Sequence, residues 1–108
     1  MWRGVMLVFL HALCASQARA ALDVGETAPD FNATAALSGK TFNYSLKESL
    51  TRGPVVLYFF PAAFTEGCSI EAQEFAQAAP AFEALGASII GVSGDDIATL
   101  SRFSVQVC

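Results

Sequence analysis

Val55-Val56-Leu57-Tyr58-Phe59-Phe60-Pro61-Ala62-Ala63-Phe64-Thr65-Glu66-Gly67-Cys68 decides the fold: an apolar run, a proline turn and a cysteine at the head of a helical pattern. The run Val55–Phe60 is apolar at every position and rich in β-branched and aromatic residues, which predicts a central parallel strand covered on both faces. Beyond the turn, Ala72, Phe75, Ala76, Ala79, Phe82 and Leu85 recur at three- and four-residue spacing, while Glu71, Glu74 and Gln77 fall elsewhere. That spacing predicts an amphipathic helix. Pro80 is expected to kink it or to start a second helical piece. Gly86 ends it, Ala87–Val92 reads as a second buried strand, and Asp95 or Asp96 caps a further helix through Ile97, Leu100 and Phe103. Strand, helix, strand, helix is an α/β order that closes as a right-handed crossover with parallel strands. In such sheets ligands bind at the carboxyl ends of the strands, where Cys68 lies.

Upstream, Phe31-Asn32-Ala33-Thr34 and Thr41-Phe42-Asn43-Tyr44 flank Ser38-Gly39-Lys40, the pattern of two short strands joined by a turn. Ser45-Leu46-Lys47-Glu48 matches a capping box, and Gly53-Pro54 stops the one or two helical turns that follow.

Residues 1–20 read as a secretory signal peptide: a basic start at Arg3, an apolar run from Val5 to Leu13, then Ala18-Arg19-Ala20 before the expected cleavage site. Export to the periplasm or the exterior follows. Cys14 leaves with the leader, as does His11, the single histidine of the chain. Residues 21–108 carry ten acids against four bases (Lys40, Lys47, Arg52, Arg102), a net charge of −6. An acidic balance argues against nucleic acid, and no remaining stretch has the character of a membrane span. Without histidine, Ser-His and Cys-His nucleophile pairs and histidine-bearing metal sites are excluded, and no metal or cofactor is expected. A domain of this size buries only about 60–65% of its unfolded surface, and the everyday reading of Cys68 and Cys108 in an exported chain is a disulfide.

A thiol in a helix's first turn faces unpaired backbone N–H groups and the positive end of the helix dipole, which favour the thiolate. Thr65 places a hydroxyl one turn before the sulfur, able to donate to it or to an incoming oxygen. Pro61 sets the bend and is expected to screen the sulfur from water. Glu66 and Glu71 oppose ionisation, so a cation is expected from elsewhere. Several other features receive plain readings. Gly91-Val92-Ser93-Gly94 reads as a strand-end turn, the triplets at Asn32 and Asn43 receive no function, and Phe59, Phe60, Phe75 and Phe82 read as core. Phe64 is the exception, a turn residue placed to line the pocket or a subunit contact.

Phe59-Phe60-Pro61-Ala62-Ala63-Phe64-Thr65-Glu66-Gly67-Cys68 resembles the P-x-x-x-T-x-x-C signature of the peroxiredoxins, most of all the Q-type branch. Val24–Phe31 resembles that family's opening segment, and Leu85–Ser93 its strand after the long helix. The resemblance implies a thioredoxin-like fold and thioredoxin-dependent reduction of hydrogen peroxide or small organic hydroperoxides. It implies Cys68 as the peroxidatic nucleophile, Thr65 and Pro61 as residues that shape the peroxide site, and Glu71 as an acid that orients an arginine. The family places that arginine, with its last strands and helix, past the equivalent of residue 108, and Arg102 is too early to match it. A chain truncated at its C-terminus is therefore expected, with 21–108 a partial domain. Cys108 lies where some Q-type members place a resolving cysteine; otherwise an external thiol resolves Cys68. A homodimer is compatible with the family. Two alternatives stay open: a thiol-disulfide exchange protein, against which Cys68-Ser69-Ile70-Glu71 lacks a second sulfur, and an inactive fragment.

Overall fold

The computed structural model describes residues 21–107. The expected leader and Cys108 lie outside the described residues.

Chain alternation and a tight turn build the first element. Strand β1 (Asn32–Leu37) pairs antiparallel with β2 (Lys40–Ser45), Asn32 opposite Ser45 and Leu37 opposite Lys40. Between them stand only Ser38 and Gly39, at φ 48° and 78°, the doubly left-handed turn whose twist matches that of the strands it joins. Helix α1 (Leu46–Arg52) follows at once, and its start is satisfied by side chains: Glu48 N–H donates to Ser45 Oγ at 3.2 Å and Lys47 N–H to Asp30 Oδ1 at 3.2 Å. Gly53 ends it at φ 149°, where a Cβ would run into the Gly86 carbonyl oxygen. No other residue fits there.

The deciding stretch forms β3 (Val55–Phe59), which pairs parallel with β4 (Ser88–Val92), Val55 opposite Ser88 and Phe59 opposite Val92. Between them runs α2 (Glu66–Ala84), and α3 (Ile97–Val107) follows β4. The α/β order is as expected. Three details differ. Of the two outcomes expected at Pro80, a second helical piece is not met: α2 runs through it as one helix, because proline removes one backbone bond while the flanking turns remain paired. Leu85 is 82% exposed: it is the C-cap, and Gly86 and Ala87 N–H turn back to the Glu83 and Phe82 carbonyls at 2.9 and 3.0 Å, carrying Leu85 off the apolar face. The strand β3 is half-buried with Phe59 75% exposed, so cover on both faces is not met among the described residues. Alternation explains the split, since Tyr58 and Phe60 turn toward the helices and Phe59 away.

Gly91, expected near the end of the second strand, lies inside β4 directly opposite Tyr58. A Cβ there would meet the Tyr58 ring at 2.6 Å. The missing side chain lets Tyr58 lie across the sheet, where it stacks on Phe75 of α2 at 4.1 Å and 18°. The core is Phe60, Cys68, Ala72 and Phe103, with Tyr58, Ala63, Leu100 and Val107 packed against it. The hairpin is held to α3 by its turn: Gly39 N–H donates to Ser104 Oγ and Ser101 Oγ to the Gly39 carbonyl, both at 2.9 Å.

Candidate active site

Three elements meet at Cys68. Phe60 N–H continues the ladder to the Val92 carbonyl at 3.0 Å, after which Pro61 turns the chain out of the sheet. Thr65 is the N-cap of α2, and its carbonyl takes the first helical bond, from Ser69 N–H at 2.9 Å. The N–H groups of Glu66, Gly67 and Cys68 therefore precede the helical ladder, and Cys68 sits in the first turn as anticipated. Its thiol is free and only 9% exposed, in a cluster with Phe60, Ala72 and Phe103.

The loop between β3 and α2 is less relaxed than its sequence implies. Phe64 adopts φ 63°, a left-handed conformation that costs an L-residue about 1 kcal/mol or more. Its ring meets Phe103 edge-on at 5.3 Å and 69°, and Phe103 in turn meets Phe60 at 5.7 Å. Phe64 thus belongs partly to the core, while remaining 45% exposed.

Two expected roles are placed differently. The Thr65 hydroxyl donates to the Ala62 carbonyl at 2.9 Å, a local acceptor three residues back that competes with the sulfur for its one proton. Pro61 is exposed, and the cover over the thiol comes from the aromatic cluster. Glu66 and Glu71 are both exposed, which lets water screen the repulsion expected from them. Arg52 and Arg102 are engaged elsewhere, bonding through Nη2 to Ser49 Oγ and Thr99 Oγ1 at 3.3 Å each.

One contact was not foreseen. Asp95, read from sequence only as a possible helix cap, sends its carboxylate back to the loop, where Oδ2 accepts from Ala63 N–H at 2.7 Å and from Ser93 Oγ at 2.8 Å. Asp96 takes the capping role, with Oδ1 accepting from Thr99 N–H at 2.7 Å. That N–H, then the Thr99 hydroxyl, and to a lesser degree the Arg102 charge, hold the Asp96 carboxyl below its ordinary value. No periodicity links Asp95 to a residue 32 positions earlier. The phenylalanine at 103 was visible as an apolar position of α3 but not as a wall of this site.

Two concavities lie elsewhere, one lined by Ala28, Asp30, Leu46, Lys47, Leu50 and Thr51 and another along the hairpin. Neither touches Cys68. Among the described residues no acid or thiol cluster has a metal site's make-up, and no helix is long and apolar enough to cross a membrane.

A cysteine in the first turn of the helix joining two parallel strands defines a thioredoxin-like thiol protein. Residues 24–106 match the model of the AhpC/TSA family, and the chain belongs to that family, the peroxiredoxins. It is 36% identical over 85 residues to the peroxiredoxin bcp of Helicobacter pylori, covering 79% of this chain and 53% of that one. It is 46% identical over 50 residues to the chloroplastic peroxiredoxin Q of Oryza sativa subsp. japonica, covering 46% of this chain and 23% of that one. A solved structure of a yeast mitochondrial 1-Cys peroxiredoxin superposes with a TM-score of 0.59 at 27% identity, over 77% of this chain and 37% of that one. The chain spans about half the length of the bcp relatives it matches.

Proposed function

We propose that the protein is a thiol-dependent peroxidase acting on hydrogen peroxide or small organic hydroperoxides, with Cys68 as its nucleophile. The observation that carries this reading is the free Cys68 thiol in the first turn of α2, walled by Phe60 and Phe103 beneath the strained Pro61–Thr65 loop. The Cys68 thiolate attacks one peroxide oxygen, the S–O bond forms as the O–O bond breaks, and the leaving oxygen takes a proton to give water or an alcohol. Cys68 is left as a sulfenic acid. A second thiol then condenses with it, releasing water and forming a disulfide that a thioredoxin-type dithiol reduces. Cys108 is one candidate for that thiol and an external thiol the other.

Unpaired N–H groups at the head of α2 stabilise the negative charge on sulfur. The Thr65 hydroxyl, bonded to Ala62 at rest, would exchange that bond for one to a peroxide oxygen, and Pro61 shapes the turn that carries it. Glu71 retains the role of orienting a cation when one is supplied. Residues 1–20 serve as an export leader cleaved after Ala20, the protein works in an exported setting, and pairing of two copies fits the family.

The test is peroxide consumption by the full chain reduced with dithiothreitol, beside Cys68→Ser. Turnover well above that control, with a dimedone adduct on Cys68, is the expected result. Equal rates in the two proteins would remove the peroxidase reading.

A further inference from the structure

We infer that Asp95 is a positioning residue for the Cys68 site, holding the β3–α2 loop in its working shape from the turn that follows the neighbouring strand β4. The inference rests on the peroxidase reading only for the direction of its effect on peroxide; the holding of the loop stands on geometry alone. From Pro61 to Phe64 the chain lies in neither strand nor helix, and at Phe64 it holds a left-handed conformation that an isolated chain would leave. Something must hold it. The Ala63 N–H, next to the strained residue, donates to Asp95 Oδ2 at 2.7 Å, a short charge-assisted bond in a part-buried setting. Asp95 is itself held. The Ser93 hydroxyl donates to the same Oδ2 at 2.8 Å, and Asp95 N–H donates back to Ser93 Oγ at 3.2 Å, so the carboxylate is aimed before the loop meets it.

Its neighbour Asp96 has the capping bond of α3, which leaves the Asp95 carboxylate committed to the loop. The loop carries Thr65 at one end and Ala63 against the Cys68 cluster. Releasing Ala63 therefore uncovers the sulfur and displaces the hydroxyl together. Alkylation by iodoacetamide, which needs only access to the thiolate, should speed up. Reaction with peroxide, which also needs the loop's geometry, should slow down.

Hydrogen exchange by NMR on the full reduced chain reads the first link without reference to peroxide. Asp95→Ala should speed exchange of Ala63 N–H about tenfold or more, while Phe60 N–H, bonded to Val92 in the neighbouring ladder, keeps its protection. Asp95→Asn, which retains an acceptor oxygen but not the charge, should lie between wild type and Asp95→Ala and covers the case in which the alanine variant does not fold. Faster alkylation of Cys68 in step with the Ala63 exchange completes the expected pattern. Unchanged Ala63 exchange, or a rise shared equally by Phe60, would overturn the inference, as would unchanged Cys68 alkylation. If wild type consumes no peroxide, the peroxidase reading fails, while exchange and alkylation still decide the role of Asp95.

Discussion

At Cys68 the backbone does more than the neighbouring side chains. The thiol owes its setting to its place in the first turn and to burial against Phe60 and Phe103, whereas Thr65, the residue expected to serve it, bonds to Ala62. Thr65→Val tests whether that hydroxyl turns to the substrate. The rate with peroxide should fall by roughly tenfold or more, as for loss of one transition-state donor, with alkylation by iodoacetamide little changed; equal effects on both would mean that the hydroxyl serves only the loop. A second prediction concerns a residue away from the site. The Tyr44 hydroxyl is buried without a hydrogen-bond partner among the described residues, so it carries a desolvation cost with no return. Tyr44→Phe should leave stability unchanged or raise it by about 1 kcal/mol, read by urea unfolding. The site was legible in sequence wherever it depended on neighbours along the chain: Pro61, Thr65 and Cys68 fall within eight consecutive residues and announce themselves. Asp95 did not, because its partner is reached only after a strand pair and a helix have brought two loops together.

Elements were read well where local chemistry fixes them. Ser45 and Glu48 mark the start of α1 and Gly53 its end, and the turn expected over Ser38-Gly39-Lys40 is one residue tighter, with Lys40 opening β2 opposite Leu37. What escaped was the consequence of packing. Gly91 was legible as a residue of the second strand but not as the clearance for Tyr58, a relation set by parallel register and invisible until Val55 is placed opposite Ser88. Gly91→Ala should therefore destabilise by about 1–3 kcal/mol through overpacking and disturb the Tyr58–Phe75 stack, seen as altered near-ultraviolet circular dichroism; a neutral change would mean that the ring moves aside freely. The start of α3 makes a prediction about acid. Because the folded Asp96 carboxyl is held below its ordinary value, the cap contributes fully above the unfolded value of about 3.9. Its contribution is lost as pH falls through the folded value. Asp96→Asn, a cap of similar quality at neutral pH, should match wild type at pH 7 and lose less of its melting temperature between pH 5 and 3; parallel losses would remove the cap from the acid response.

On the scale of the whole molecule, one side chain joins the parts. Phe103 is 4% exposed and touches both Phe60, the residue after β3, and Phe64 from the site loop, so α3 braces the sheet end and the site at once. Phe103→Ala should cost about 3–5 kcal/mol, a large part of what a small domain possesses, with loss of a cooperative melt as the expected reading. Retention of a sharp transition would place the core elsewhere. The fold class was legible because apolar runs and helical spacing are properties of short windows. The exposure of Phe59 was not, since an apolar strand does not record which neighbours cover it. The clasp of Gly39 by Ser101 and Ser104 joins residues 62 and 65 positions apart, tying the first strand pair to the last helix. During synthesis the hairpin emerges some 62–65 residues ahead of the serines of α3 that hold it, so its docking surface does not exist when it first appears. An interval of that length leaves the two-stranded ribbon, marginal by itself in water, unanchored and available to other strands, and it makes the closing of this clasp a late event in folding.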